Sequence, residues 1–165
     1  MNAIVKCRAV ESADIQRICE IEFLTQLTPW SLESLKASIE QVDNVEVIML
    51  DTLLIGFIIG RVVLDEAEIL EFSIDPSYQG YGYGKTLLKH LIMLLQEKKI
   101  GKIFLEVRHS NRRAMQLYHS IGFREISIRK DYYSTCNESK KEDAVIMQLD
   151  LSEWCHGKPK CGAEI

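Results

Sequence analysis

The stretch QGYGYGKT, residues 79–86, packs three glycines and a lysine just ahead of an apolar run with helical spacing. Main-chain N–H groups at a helix start, the positive end of the helix dipole and a cation such as Lys85 together suit a phosphate or diphosphate. Gly82 and Gly84 let the backbone approach a bulky anion or take positive φ. Two known phosphate frames fail on counting. G-x-x-x-x-G-K-[ST] would need its first glycine at Gln79, and G-x-G-x-x-G would need its last at Lys85 or Leu87. What survives is Q-x-x-G-x-G, from Gln79, Gly82 and Gly84. On glycine spacing alone, a turn that merely starts a helix explains it equally well.

The elements that must position this loop follow from the rest of the chain. With 165 residues and 47% apolar content, a single domain with a real core is expected over 1–151, followed by a loosely attached tail, 152–165. The net charge of -4 disfavours general nucleic-acid binding and suits a basic peptide or a cationic amine. Five cysteines without a CxxC pair point to a reducing cytoplasm rather than a disulfide framework. No apolar run of about 18 residues is present, so no membrane span is expected. The N-terminal MNAIVKCRAVESAD lacks the long apolar core of a secretory signal. Cys155, His156 and Cys161 form at most a fragment of a metal site with no fourth ligand nearby, so no metal is expected.

Residues 4–10 read as a strand. A helix follows, capped by Ser12, with Ile15, Ile18, Cys19 and Glu22 at helical spacing. Thr28-Pro29 breaks it, and Ser31 caps a second helix, LESLKASIEQ. VEVIML and LLIGFIIGRVVL, joined by Asp51-Thr52, read as an antiparallel hairpin. Leu64-Asp65-Glu66 turns the chain into a strand over 68–74 that Asp75-Pro76 ends. After the glycine loop, Leu87, Leu88, Leu91, Ile92, Leu94 and Leu95 mark one face of a helix closed near Gly101. In KIFLEVR, Ile103, Leu105 and Val107 share one strand face, and Phe104, Glu106 and Arg108 the other. Ser110 or Asn111 caps a helix ended by Gly122. Two strands complete the chain, 123–129 and 144–149, with YYSTCNESKKED between them as a polar loop. The order β-α-α-β-β-β-α-β-α-β-β predicts an α/β fold on one mixed sheet.

IDPSYQGYGYGKTLLKHLI resembles the acetyl-CoA-binding motif of the GCN5-related N-acetyltransferases (GNAT), whose element order also matches residues 4–151. Within that superfamily the chain is most similar to the ribosomal-protein-alanine N-acetyltransferases, the RimI type. The matching stretches are TPWS, VVLDEA, LEVRHSNRRAMQLYHSIGF and IRKDYYSTCNESKKEDAVIMQL. The resemblance implies that Phe72, Ser73 and Ile74 offer backbone groups to the pantetheine arm. It implies that Gln79, Gly80, Tyr81, Gly82, Tyr83, Gly84 and Lys85 hold the diphosphate, and that Asn111 bonds the arm from the other side. Acetyl-CoA is then the co-substrate.

Acetyl transfer needs a deprotonated amine, a polarised thioester carbonyl and a neutralised thiolate. An α-amine with a pKa near 8 is mostly charged at pH 7, so a base helps. Glu106 is the candidate base, the role the family gives the matching glutamate; otherwise it is a solvated edge residue. Tyr118, seven residues after Asn111 and on the same helix face, is the candidate acid; its alternative is a core tyrosine. A backbone N–H near Ile74 is expected to polarise the carbonyl. Trp30, Asp65, Glu66, Tyr132 and Tyr133 match family segments that wall the peptide side, although Trp30 suits the core better than recognition. Arg112-Arg113 makes the helix start unusually basic, and the 134–141 loop runs slightly long for the family.

The resemblance implies transfer of acetyl to the N-terminal alanine of a small-subunit ribosomal protein; a cytoplasmic monomer or weak dimer that binds neither nucleic acid nor membrane is expected. Acetylation of a small amine or a lysine side chain, and a non-catalytic acyl-CoA-binding subunit, are the competing expectations.

Overall fold

The structure, a computed structural model, describes residues 3–42, 44–134, 141–155 and 158–159. The expected order of elements is present. Strand β1 (Val5–Ala9) is followed by helices α1 (Ile15–Thr25) and α2 (Leu32–Gln41), then by strands β2 (Asn44–Leu50), β3 (Leu53–Val63) and β4 (Glu66–Ile74). Helix α3 (Tyr83–Glu97), strand β5 (Lys102–Arg108), helix α4 (Arg112–Ile121) and strands β6 (Arg124–Ser134) and β7 (Lys141–Asp150) complete the main fold. Two short strands, β8 (Trp154–Cys155) and β9 (Lys158–Pro159), pair at the end.

The chain packs as two compact units. The first holds the described residues up to Val62 together with Ile69–Leu94, and the second holds Val63–Glu68 and the described residues from Leu95 onward. In the first, the strand order is β1-β2-β3-β4, with β1–β2 and β2–β3 antiparallel. Asp51, at positive φ, makes the β2–β3 turn. The core joins Ile18 and Ile21 of α1, Leu35 of α2, Val45 and Val47 of β2, and Leu54, Phe57 and Ile59 of β3. Leu87, Leu88 and Leu91 of α3 are fully buried. The predicted Ser31 cap is present, its hydroxyl accepting from the Ser34 N–H at 3.1 Å. Ser12 is not the cap of the first helix: it lies inside a short 3-10 turn whose cap is Glu11, because Asp14 reaches back to the Glu11 N–H at 2.7 Å.

In the second unit the strand order is β5-β7-β6, both pairs antiparallel. Ile103, Leu105 and Val107 are buried as their alternation predicts. They are joined in the core by Met115, Tyr118 and Ile121 of α4 and Met147 and Leu149 of β7. Asn111 caps α4, and Gly122 ends it at φ 116°, a left-handed conformation that favours glycine.

Two sequence expectations need correction here. The stretch from Tyr132 is not all loop: Tyr132–Ser134 and Lys141–Asp143 extend β6 and β7, with register shifts between Arg129 and Tyr133 and Asp131 at φ 54°. A bulge supplies the irregularity that polar composition made look like a loop. The chain beyond Leu151 is also not loosely attached at its start. Trp154 is buried, and the Gln96 side chain donates to its carbonyl at 3.0 Å. Residues 135–140, His156 and Cys161, which the long loop and the metal fragment involve, lie outside the described residues.

Candidate functional site

The glycine loop belongs to the first unit and follows β4 directly. Asp75 ends the strand, its carboxylate accepting from the Ser77 N–H at 2.9 Å and pairing with Arg17 of α1. The Gln79 amide donates to the Ile74 carbonyl at 2.8 Å, folding the loop back on the strand it leaves. Gly80 and Gly82 take φ of 90° and 87°. Gly84 does not. It lies with Tyr83 and Lys85 in the first turn of α3, so the freedom expected of Gly82 and Gly84 is used at Gly80 and Gly82. A Cβ at Gly82 would meet nothing within 4 Å, so open space adjoins its backbone. The first helical bond, Thr86 N–H to Gly82 carbonyl at 3.1 Å, starts α3 here. Amide groups of the first turn, the helix dipole and Lys85 fit a diphosphate chemically. The exposed Tyr81 ring lies 6.2 Å from that of Tyr83.

Strand β4 leads into this loop through Phe72, Ser73 and Ile74. Ser73 and Ile74 are buried. Gly56 of β3 lies against them, and a Cβ there would collide with the Ile74 side chain and sit 2.8 Å from the Ser73 carbonyl. The Phe72 N–H donates to the carboxyl of Glu71 at 3.1 Å.

Glu71 is a residue that sequence reasoning passed over. Its Oε1 also accepts from the Gln26 amide at 2.6 Å. Burial, reinforced by the nearby Glu22, pushes its carboxyl up to about 8. Glu22 is fully buried in α1; its Oε1 accepts from the Trp30 N–H at 3.2 Å, and its Oε2 has no hydrogen-bond partner. Burial raises the pKa of Glu22 too, against the Trp30 bond. The available signal was a charged residue on the apolar stripe of α1, at the spacing of Ile15 and Ile18. Trp30 itself is partly buried against the core cluster.

The second unit holds the other expected site residues. The Glu106 carboxylate on β5 is ion-paired with Arg129 of β6. Arg129 also lies over the Tyr132 ring at 5.4 Å, Tyr132 meets Tyr133 edge-on at 5.0 Å, and Arg108 caps Tyr133 at 4.2 Å. Glu106, Tyr132 and Tyr133 are therefore linked through two arginines that the sequence did not single out. Tyr118 is buried in α4 with its ring 5.7 Å from Phe123. The Asn111 side-chain oxygen accepts from the Ala114 N–H at 3.1 Å as the helix cap. Asp65 and Glu66 are exposed at the β3–β4 turn, where the Asp65 carbonyl accepts from Gly101 at 2.8 Å. Among the described residues no cluster of His, Cys, Asp or Glu could hold a metal ion, and no helix is long and apolar enough to cross a membrane.

The profile of the Acetyltransferase (GNAT) family matches residues 15–123, from α1 through α4. The chain belongs to the GNAT acetyltransferase family. Among characterised proteins, the acetyltransferase is 44% identical to a [ribosomal protein bS18]-alanine N-acetyltransferase of Haemophilus influenzae, over 86% of this chain and 96% of that protein. It is 37% identical to the Escherichia coli enzyme of the same name, over 92% and 99%. The crystal structure of the E. coli ribosomal-protein-S18-alanine N-acetyltransferase superposes with a TM-score of 0.84 at 34% identity, covering 90% of this chain and 94% of that one. The mixed α/β architecture is thus that of the family.

Proposed function

We propose that this acetyltransferase moves acetyl from acetyl-CoA to the α-amine of a protein N-terminus, that of an alanine on a ribosomal protein, working in the cytoplasm as one domain over residues 1–151. The observation that carries the reading is the end-to-end similarity to enzymes named for that reaction. The turn at Gly80 and Gly82 opening α3 supports the coenzyme's part in it.

In this reading Gln79–Lys85 hold the diphosphate, Phe72–Ile74 and Asn111 hold the pantetheine arm, and Trp30, Asp65, Glu66, Tyr132 and Tyr133 wall the peptide. Glu106 accepts the amine's proton and Tyr118 returns one to the departing thiolate. Carbon–nitrogen bond formation at the thioester carbonyl precedes loss of the thiolate, so the base acts first and the acid second. Arg129 must release Glu106 before it can take a proton, which links the base to peptide entry beside Tyr132.

The test is a thiol-release assay with acetyl-CoA, alanine-initiated peptides and small amines. Peptides are expected to react and free amines to lag. Glu106→Gln is expected to lower the rate by about 10²; a near-wild-type rate at pH 7 removes Glu106 as the base.

A further inference from the structure

Glu22 and Glu71 are desolvated carboxyl groups of the first unit, and the roles assigned above do not use them. Glu71 stands in β4 directly before Phe72, Ser73 and Ile74. Its carboxyl and the Ser73 hydroxyl lie on one strand face, held by α1. The Gln26 amide bonds both Glu71 Oε1 and, at 3.3 Å, Ser73 Oγ, while the Thr25 hydroxyl lies 2.9 Å from Ser73 Oγ. All these partners are neutral. The charged group that acts on Glu71 from the packed helix is Glu22, with its buried, unpartnered Oε2. Arg17, also on α1, is committed to Asp75 and Glu20.

Neither carboxyl is paired with a cation, and the fully buried Glu22 Oε2 is an acceptor with no hydrogen-bond partner. A primary ammonium matches it, with three donors and one positive charge. The site also adjoins the strand segment assigned to the coenzyme's arm, on the side away from the diphosphate loop.

We propose that Glu71, backed by Glu22, is a further catalytic residue that receives the proton of the substrate's α-ammonium. This rests on the acetyl-transfer reading and deepens it. The Gln26 amide and the Phe72 N–H both donate to Oε1, and burial keeps the carboxyl protonated below about pH 8. Docking of the ammonium expels that proton to water and forms an ion pair. An N–H bond then breaks as an O–H bond forms on Glu71, freeing the nitrogen lone pair. The lone pair bonds the thioester carbonyl carbon and the carbon–sulfur bond breaks. The second proton from nitrogen passes by way of Glu106 and Tyr118 to the thiolate, so ammonium and thioester give amide, thiol and one proton.

Glu71→Gln keeps the shape and the acceptor oxygen and removes a desolvated acid, so it is expected to fold. With carboxyl-labelled glutamate, NMR of the wild type is expected to show one glutamate titrating near pH 8. That signal should vanish in Glu71→Gln and move to lower pH when an alanine-initiated peptide binds with free CoA. In the same variant kcat/KM is expected to fall roughly 10- to 100-fold, with acetyl-CoA affinity by calorimetry within about twofold of wild type. Wild-type kcat/KM in Glu71→Gln across pH 6–9 would overturn the proposal. So would a loss confined to peptides with a basic second residue, which would make Glu71 a side-chain contact. Failure of the wild type to bind acetyl-CoA at all would instead sink the underlying acetyl-transfer reading.

Discussion

Gly82 shows how one residue serves a backbone rather than a contact. Its φ of 87° excludes most side chains, yet the space around it is open. Alanine there meets no steric wall and suffers only conformational strain, of about 1–2 kcal/mol. Gly82→Ala is therefore expected to lose about that much stability in urea unfolding and to bind acetyl-CoA measurably more weakly by calorimetry. Unchanged affinity would separate the loop's shape from anion binding. Glu106 illustrates the opposite case. Its alternation on β5 was legible in the sequence, but the Arg129 that holds its carboxylate comes from a different strand. Glu71 sits in a strand whose alternation gives no hint that Gln26 and Glu22 enclose its carboxyl.

At the scale of elements, β4 is the part that strand β3 and helix α1 jointly fix. Gly56 allows β3 to pass against Ser73 and Ile74, where a methyl group would strike both a side chain and a backbone carbonyl. Backbone cannot step aside as a flexible side chain can, so Gly56→Ala is expected to cost about 1–3 kcal/mol. It should also displace the β4 segment and weaken acetyl-CoA binding. Full retention of both stability and affinity would mean that β4 yields freely. On the other face, the Thr25 and Gln26 side chains at the end of α1 tie Ser73 and Glu71 to the helix. The glycine loop opening α3 was readable from spacing because a helix start is a local event. The assignment of positive φ to Gly80 and Gly82, rather than to Gly84, depended on where the helix begins.

For the molecule as a whole, ionisation sets the pH range of stability. Asp14 is held below the usual carboxylate range chiefly by its paired bonds to Arg8, at 2.6 and 2.9 Å. Its contribution is present above the unfolded value of 3.8 and is lost as pH falls through the lower folded value. Glu71 acts in the opposite sense. Between its unfolded value of 4.5 and its folded value of about 8, the unfolded chain gives up the proton first, so stability declines as pH rises through that window. Glu71→Gln is therefore expected to raise Tm over wild type by a few degrees at pH 8.5, at about 2–4 °C per kcal/mol. The gain should shrink toward zero at pH 4, as followed by calorimetry across pH. A more stable yet less active variant is the signature of a group kept for chemistry rather than for folding. A variant of equal or lower Tm at pH 8.5 would remove the burial penalty from this account.

The sequence by itself determined the order of elements, the helix cap at Ser31, the buried face of β5 and the glycine loop that opens α3. These depend on periodicity and on hydrogen bonds between near neighbours. Only the tertiary structure decided the pairing of Glu106 with Arg129, the seating of Glu71 against Glu22, the extension of β6 and β7 through a bulge and the burial of Trp154. Each of these is set by groups far apart in the chain, where the field and the solvent exclusion at a carboxylate come from whatever folds against it.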